Sequence, residues 1–133
     1  MREPQPFTAA SMSEEADIIL LESRIRPETL RRLAERGFGE MVKYVVDVQR
    51  NVIAIGGELH ADAEQLLLET GSRPEDLWGA NYYPGRGRDG CVEFTSLINV
   101  RPARGNLGME VQDPELREKI RTLTHALVGD SVA

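Results

Sequence analysis

The sequence lacks the patterns that indicate a disulfide framework, a cysteine-based metal site or a membrane span. Cys91 is the only cysteine, which excludes an intrachain disulfide and any zinc or iron–sulfur site made of several cysteines. No apolar run approaches the roughly 20 residues that cross a bilayer, and the N-terminus lacks the apolar segment of a secretory signal peptide. We therefore expect a cytoplasmic protein of bacterial type without a membrane partner.

Aromatic residues are also scarce, and the 16 basic residues are outnumbered by 22 acidic ones. Aromatics make up 5% and apolar residues 41% of the 133 residues, which predicts a single domain with a mainly aliphatic core. The net charge of -6 gives an acidic surface, a poor match for a phosphate backbone. Nucleic acid is therefore not an expected partner.

The hydrophobic pattern predicts one domain between two tails. Residues 1–16 are polar, contain two prolines and show no periodicity, which is typical of a disordered tail. Met12 lies within this segment, so the sequence leaves open whether the tail belongs to the native protein. We assign residues 17–129 to the domain and residues 130–133 to a short C-terminal tail.

Within the domain the pattern predicts an α+β fold, an antiparallel sheet of four to five strands with two or three helices packed on it. Ile18 to Leu21 is an apolar run expected to be buried on both faces, and the glycine-rich residues 84–90 read as a hairpin loop. The predicted strands are 18–21, 41–48, 52–55, 78–83 and 91–100, and the predicted helices are 27–36, 63–70 and a last one starting at Pro114.

Several stretches together resemble a known family. FGEMVKYVVDV, IGGELHADAEQLLLETGS, EDLWGANYYP and SLINVRPARGN, followed by DPELREKI, resemble DUF5674, a family of small bacterial and archaeal proteins of unknown function. The resemblance covers roughly residues 18–128. It implies a single-domain protein of bacterial type and implies no activity. The family's usual stretch after the first arginine is closer to RPSQGNRS, where this chain has RPARGNLG.

Glu58 and His60 are the candidate catalytic residues. They alternate with Asp62 just before a predicted helix, and a histidine beside carboxylates can move protons near neutral pH. Asp62 is expected to cap the helix, so Asp76 becomes the third candidate, with Glu58 and His60, for a metal site. Alternatively, Glu58 faces solvent and His60 bonds a carbonyl.

The stretch Arg101 to Asn106 is the candidate anion-binding loop. Arg101, Arg104 and Asn106 lie on a glycine-containing connection, and forked guanidinium groups suit carboxylate or phosphate. Trp78, the only tryptophan, and Asp76 are further binding candidates. The alternatives are a solvated connector in which Arg101 pairs with a surface acid, and a Trp78 that anchors the core.

Three classes of function remain open on the sequence, and no pattern names a cofactor. The first is a binding or assembly module, whose expected partners are a second copy of the chain or a small anionic ligand. A partly apolar second sheet face (Met41, Val45 and Leu97) motivates the homodimer. The second is a small hydrolase that uses Glu58 and His60, with the arginine loop holding the substrate. The third is one half of a regulatory pair of the toxin–antitoxin kind.

Overall fold

The computed structural model describes residues 17–131, which form an α+β domain. The strands are β1 Ile18–Leu21, β2 Val42–Asp47, β3 Val52–Gly56, β4 Leu77–Tyr82 and β5 Val92–Glu93. They make one antiparallel sheet in the order β1-β3-β2-β4-β5. The helices are α1 Pro27–Arg36, α2 His60–Glu69, α3 Gly87–Gly90 and α4 Pro114–Leu127. The predicted tail at residues 1–16 lies outside the described residues.

The sheet is covered by helices on both faces. One face carries the larger core, in which Leu33 and Ala34 of α1 and Ile120 and Leu127 of α4 pack against the sheet. The other face is covered by α2, whose Ala63 and Leu67 pack on smaller strand residues. The sheet residues are Tyr44, Val46, Ile53, Ile55, Trp78, Ala80 and Tyr82 under α1 and α4, and Val45, Val52, Ala54 and Leu77 under α2.

The hairpin of β2 and β3 and helices α1 and α4 confirm the predictions made from periodicity. α1 has Pro27 in its first turn and ends at Gly37, and Asp113 caps α4 by accepting a hydrogen bond from the backbone N–H of Glu115. Asp47 closes the hairpin turn, because its Oδ1 accepts from the backbone N–H groups of Gln49 and Arg50 at 2.8 Å each. Within residues 17–131, no helix is long and apolar enough to cross a bilayer.

The prediction for β1 was partly wrong. The strand exists, but it lies at the edge of the sheet and pairs only with β3. Leu21 is buried, whereas Ile18, Ile19 and Leu20 are half-buried. An apolar run of four residues therefore does not by itself indicate a central strand, since an edge strand beside a helix layer also needs apolar side chains.

The strand predicted over residues 91–100 was also wrong, because only Val92 and Glu93 pair with β4. The chain leaves the sheet at Phe94 and makes a 3₁₀ turn at Leu97–Asn99. Ser96 caps this turn by accepting a hydrogen bond from the backbone N–H of Ile98. The predicted hairpin loop at residues 84–90 contains the one-turn helix α3.

The predicted Asp62 cap does not form. α2 begins at His60, three residues earlier than predicted, and Leu59 is its N-cap residue without a side-chain cap. Asp62 therefore lies inside the first turn, where a carboxylate suits the positive end of the helix dipole. Ser72, which precedes the 3₁₀ turn Pro74–Asp76, donates its hydroxyl to Asp47 Oδ2 at 2.5 Å.

Candidate functional site

The candidate site is built on residues 96–112, a connection that runs beside β4. β5 pairs with β4 only at Asn81 and Tyr82. Residues 77–80 of β4 therefore have no neighbouring strand on the edge that faces β5. The side chain of Asn99 takes the place of that strand. Its Oδ1 accepts from the Gly79 backbone N–H at 2.8 Å, and its Nδ2 donates to the Gly79 carbonyl at 2.9 Å.

A second asparagine holds the rest of this loop. Asn106 Nδ2 donates to the carbonyls of Asn99, Gly108 and Glu110 at 2.9, 3.0 and 3.0 Å, and its Oδ1 accepts from the Gln112 backbone N–H at 2.9 Å. Both asparagine side chains are buried. A satisfied buried amide network of this kind fixes a loop that has little regular secondary structure. The 96–112 loop is therefore a preformed surface.

The loop places two arginines over the indole ring of Trp78. The guanidinium carbons of Arg101 and Arg104 lie 5.0 and 5.9 Å from the ring centroid. Guanidinium groups within about 6 Å of an indole face are attracted by the ring quadrupole. The structure thus brings together Trp78, Arg101, Arg104 and Asn106 from the set of predicted binding residues.

A cleft of about 310 Å³ opens beside this cluster. Trp78, Arg104 and Asn106 line it together with Asp113 and Leu116 at the start of α4. Trp78 is 2% exposed, yet its Nε1 finds no hydrogen-bond partner among residues 17–131. Arg101 Nη1 is likewise buried without a described partner. Two buried donors without a described partner lie in this one cluster. Binding of a hydrogen-bond acceptor from outside the chain would therefore be favoured here.

The charges around the cleft have identifiable partners. Arg101 Nη2 lies 3.4 Å from Glu64 Oε2 on α2, and burial lowers the pKa of Arg101, while Glu64 opposes this effect. Arg104 Nη1 donates to the Glu75 carbonyl at 2.6 Å. The carboxylate of Asp113 also lies in the cleft, so an incoming anion meets one negative group as well as the arginines.

Asp76, the remaining predicted binding residue, forms hydrogen bonds through its backbone. Its carbonyl accepts a hydrogen bond from the Val48 N–H at 3.0 Å, and its own N–H donates to the Arg73 carbonyl. It is half-buried in the 3₁₀ turn Pro74–Asp76 and is not among the residues that line the Trp78 cleft.

His60 lies against β4 rather than in an open cleft. It is 9% exposed, and its Nε2 lies 2.8 Å from the Ala80 carbonyl, so this nitrogen carries the proton. Burial lowers the pKa of His60, and Lys43 acts in the same direction, whereas the bond to Ala80 and the side chain of Asn81 oppose it. Asn81 in turn donates to Glu93 Oε1 at 2.7 Å.

Glu58 lies in different surroundings. It is exposed and lines a cleft of about 300 Å³ with Asp17, Arg36 and Asp62. His60 is not among the residues of that cleft. Within residues 17–131, no three histidine, cysteine, aspartate or glutamate side chains converge in a way that could hold a metal ion. The structure therefore does not assemble Glu58, His60 and Asp76 into a three-ligand metal site.

Asn99, Glu64 and Asp113 contribute to the site and were not among the predicted site residues. Asn99 offered a signal, since an asparagine within a run read as a buried strand needs hydrogen-bond partners. Glu64 and Asp113 reach the site from α2 and from the start of α4. No local pattern indicates that these two helix residues meet the same loop.

Comparison with known proteins identifies a family and nothing closer. The family described as "Protein of unknown function (DUF5674)" matches the chain over residues 19–127. No curated protein and no solved structure matches the chain.

Proposed function

The chain belongs to the DUF5674 family, whose description names no function, and on that premise we propose that it is a binding module for a small anionic ligand. The observation that carries this proposal is the orphaned indole N–H of Trp78 beneath two guanidinium groups, next to a cleft of about 310 Å³. A carboxylate or phosphate oxygen would accept from these donors.

The rigidity of the 96–112 loop supports a role in binding. Asn99 and Asn106 hold the loop through buried hydrogen bonds, so Arg104, which lines the cleft, needs little reorganisation to meet a ligand. A preorganised site loses less conformational entropy on binding than a flexible one. Since the described site residues form no metal cluster and His60 does not line the cleft that Glu58 lines, the hydrolase hypothesis draws less support.

Trp78 fluorescence tests the proposal directly, because the chain has no other tryptophan. Titration with inorganic phosphate or citrate should produce a saturable change in emission. Arg104→Gln should weaken binding about tenfold, as expected for one charge-assisted hydrogen bond. The matched control is Arg73→Gln, since Arg73 is exposed and pairs with Glu75 outside the cleft.

Asp113→Asn sharpens the test. Asparagine caps a helix about as well as aspartate, so α4 should keep its start while the cleft loses a negative charge. We expect this variant to bind the anion more tightly than the wild-type chain. A linear fluorescence response, or equal affinity in the wild-type chain and Arg104→Gln, would contradict the proposal.

The same loop supports a second candidate function, assembly with another copy of the chain. Leu97, Val100, Leu107 and Met109 are exposed on it, with Leu97 and Leu107 at 73% and 71%. The sheet face that motivated a homodimer gives no support, because α2 covers it and Val45 is fully buried. Exposed apolar groups on one loop favour association when a second copy covers them.

Sedimentation equilibrium at micromolar concentrations tests assembly. The wild-type chain should show a dimer, and a Leu97→Glu/Leu107→Glu variant should shift the equilibrium to monomer. Because both residues are exposed, this variant should fold normally, which circular dichroism can verify. A wild-type chain that is monomeric throughout the range would overturn the assembly proposal and leave the anion proposal standing.

A further inference from the structure

A cavity near the other end of α4 has the features of a second binding site. It measures about 640 Å³ and lies between α1 and the end of α4, within the size range of about 300–1,000 Å³ that is usual for small-molecule sites. Ile25, Leu30, Ala34 and Val128 give it apolar walls, and Leu30 and Ala34 belong to α1. Such walls suit a hydrocarbon group.

Two backbone donors meet at Ser131, a residue of the cavity lining. The N–H groups of Gly85 and Gly87 both point at the Oγ of Ser131, at 2.6 and 3.2 Å. Gly85 and Gly87 have φ of 88° and 84°, a conformation that glycine adopts without a steric penalty. Successive N–H groups turned toward one point in this way form an anion-binding concavity.

Positive charge accompanies these donors. Arg24 and Arg31 line the cavity, and neither forms an ion pair with any residue in the described part of the chain. Asp130 also lines the cavity, but its carboxylate lies 2.7 Å from Arg88 Nη1. Glu35 is the remaining carboxylate of the lining. The cavity therefore combines apolar walls with cationic and N–H donors.

We propose that this cavity binds an amphipathic carboxylate, with its hydrocarbon part along Ile25, Leu30 and Val128 and its carboxylate on the Gly85 and Gly87 amides. In the free protein Ser131 Oγ occupies the position of a carboxylate oxygen. Ser131 has φ of 62°, which is uncommon for a residue other than glycine. A ligand oxygen displaces this hydroxyl, and Arg24 neutralises the ligand's charge. The site is separate from the Trp78 cleft and does not depend on it.

An NMR titration with octanoate tests this site, because the backbone amides of Gly85 and Gly87 report on it directly. Their ¹H–¹⁵N resonances should shift and saturate on addition of octanoate. Octanol, which lacks the charge, and acetate, which lacks the hydrocarbon tail, should each produce much weaker shifts. Absence of saturation at the two glycines, or an equal response to acetate, would overturn the proposal.

Variants test whether the charged and polar groups of the cavity contribute to octanoate binding. Arg24→Gln should weaken octanoate binding about tenfold, the usual effect of one charge-assisted hydrogen bond. Arg26→Gln is the matched control, since Arg26 is exposed nearby and does not line the cavity. Ser131→Ala should tighten binding, because the competing hydroxyl is gone. Equal weakening by both arginine variants, or weaker binding by Ser131→Ala, would contradict the assignment.

Discussion

Asn99 pairs with Gly79 as a neighbouring strand would. The amide of the asparagine side chain accepts the Gly79 N–H at 2.8 Å and donates to the Gly79 carbonyl at 2.9 Å. The same Nδ2 donates to the Met109 carbonyl at 3.1 Å. One side chain therefore satisfies the open edge of β4 and ties the 96–112 loop to it, and the position of Arg101 and Arg104 over Trp78 depends on that attachment.

Removal of this amide should destabilise the whole domain. Asn99→Ala leaves the buried N–H and carbonyl of Gly79 without partners, and each unsatisfied buried group costs about 1–3 kcal/mol. We expect the free energy of unfolding, measured in urea, to fall by about 2–4 kcal/mol. Gln49→Ala, at an exposed position, should stay within about 0.5 kcal/mol of wild type. A loss below about 1 kcal/mol for Asn99→Ala would show that the pairing contributes little.

Gly79 is also a site of close packing, which gives a second prediction. A Cβ there would lie 2.6 Å from Ser96 Cβ, 2.7 Å from Ser96 Oγ and 3.2 Å from His60 Cδ2. Gly79→Ala should therefore cost about 1–3 kcal/mol, the usual range for overpacking. The combination with Ser96→Gly removes the closest contact. In a double-mutant cycle the two changes should cost less together than the sum of the single changes, and strict additivity would refute the steric explanation.

Local patterns predicted most of the fold. α1 and the hairpin of β2 and β3 follow from short-range periodicity, capping and turn residues, and their bounds agree closely with the structure. The failure at residues 91–100 has a different origin. The apolar alternation there is real, but Asn99 and Ser96 use their side chains to bond backbone groups, and this competes with strand pairing. Alternation alone could not reveal that competition.

The candidate site was predictable only in part. Arg101, Arg104 and Trp78 were chosen by residue type, and the structure places the three together. Their proximity follows from the tertiary path of the 96–112 loop along β4, which no spacing in the sequence encodes. For His60 the residue type suggested a catalytic role that the structure does not support. α2 begins at His60, and the ring is buried against Ala80.

The buried hydroxyl pair of Tyr44 and Thr124 links β2 to α4. Their oxygens are 2.6 Å apart, and the Thr124 hydroxyl donates to the Ile120 carbonyl at 2.7 Å, so Tyr44 donates to Thr124. Burial raises the pKa of Tyr44, which keeps its phenol protonated as a donor. The two hydroxyl groups therefore have unequal roles, since Tyr44 depends on Thr124 for its acceptor.

The unequal roles of Tyr44 and Thr124 predict which substitution lowers the free energy of unfolding more. Tyr44→Phe should cost about 1 kcal/mol, the net value of one hydrogen bond. Thr124→Val leaves the buried Tyr44 hydroxyl without an acceptor and should cost about 1–3 kcal/mol. Adding Tyr44→Phe to Thr124→Val should then be nearly neutral or stabilising. Urea unfolding of the three variants checks this, and the reverse order would disprove the assigned donor direction.

The last prediction concerns the pH dependence that His60 gives to stability. Its pKa in the folded state is lowered, mainly by burial, and its place in the first turn of α2 near the positive end of the helix dipole acts in the same direction. In the unfolded chain the pKa of this histidine is about 6.5, so the unfolded chain binds more protons than the folded state once the pH falls through that value. Stability should therefore decrease as the pH drops below about 6.5 and level off below the folded pKa. In urea unfolding between pH 8 and pH 5, His60→Gln should remove this component, whereas the control His125→Gln should retain it. An unchanged pH profile in His60→Gln would show that His60 is not the group responsible.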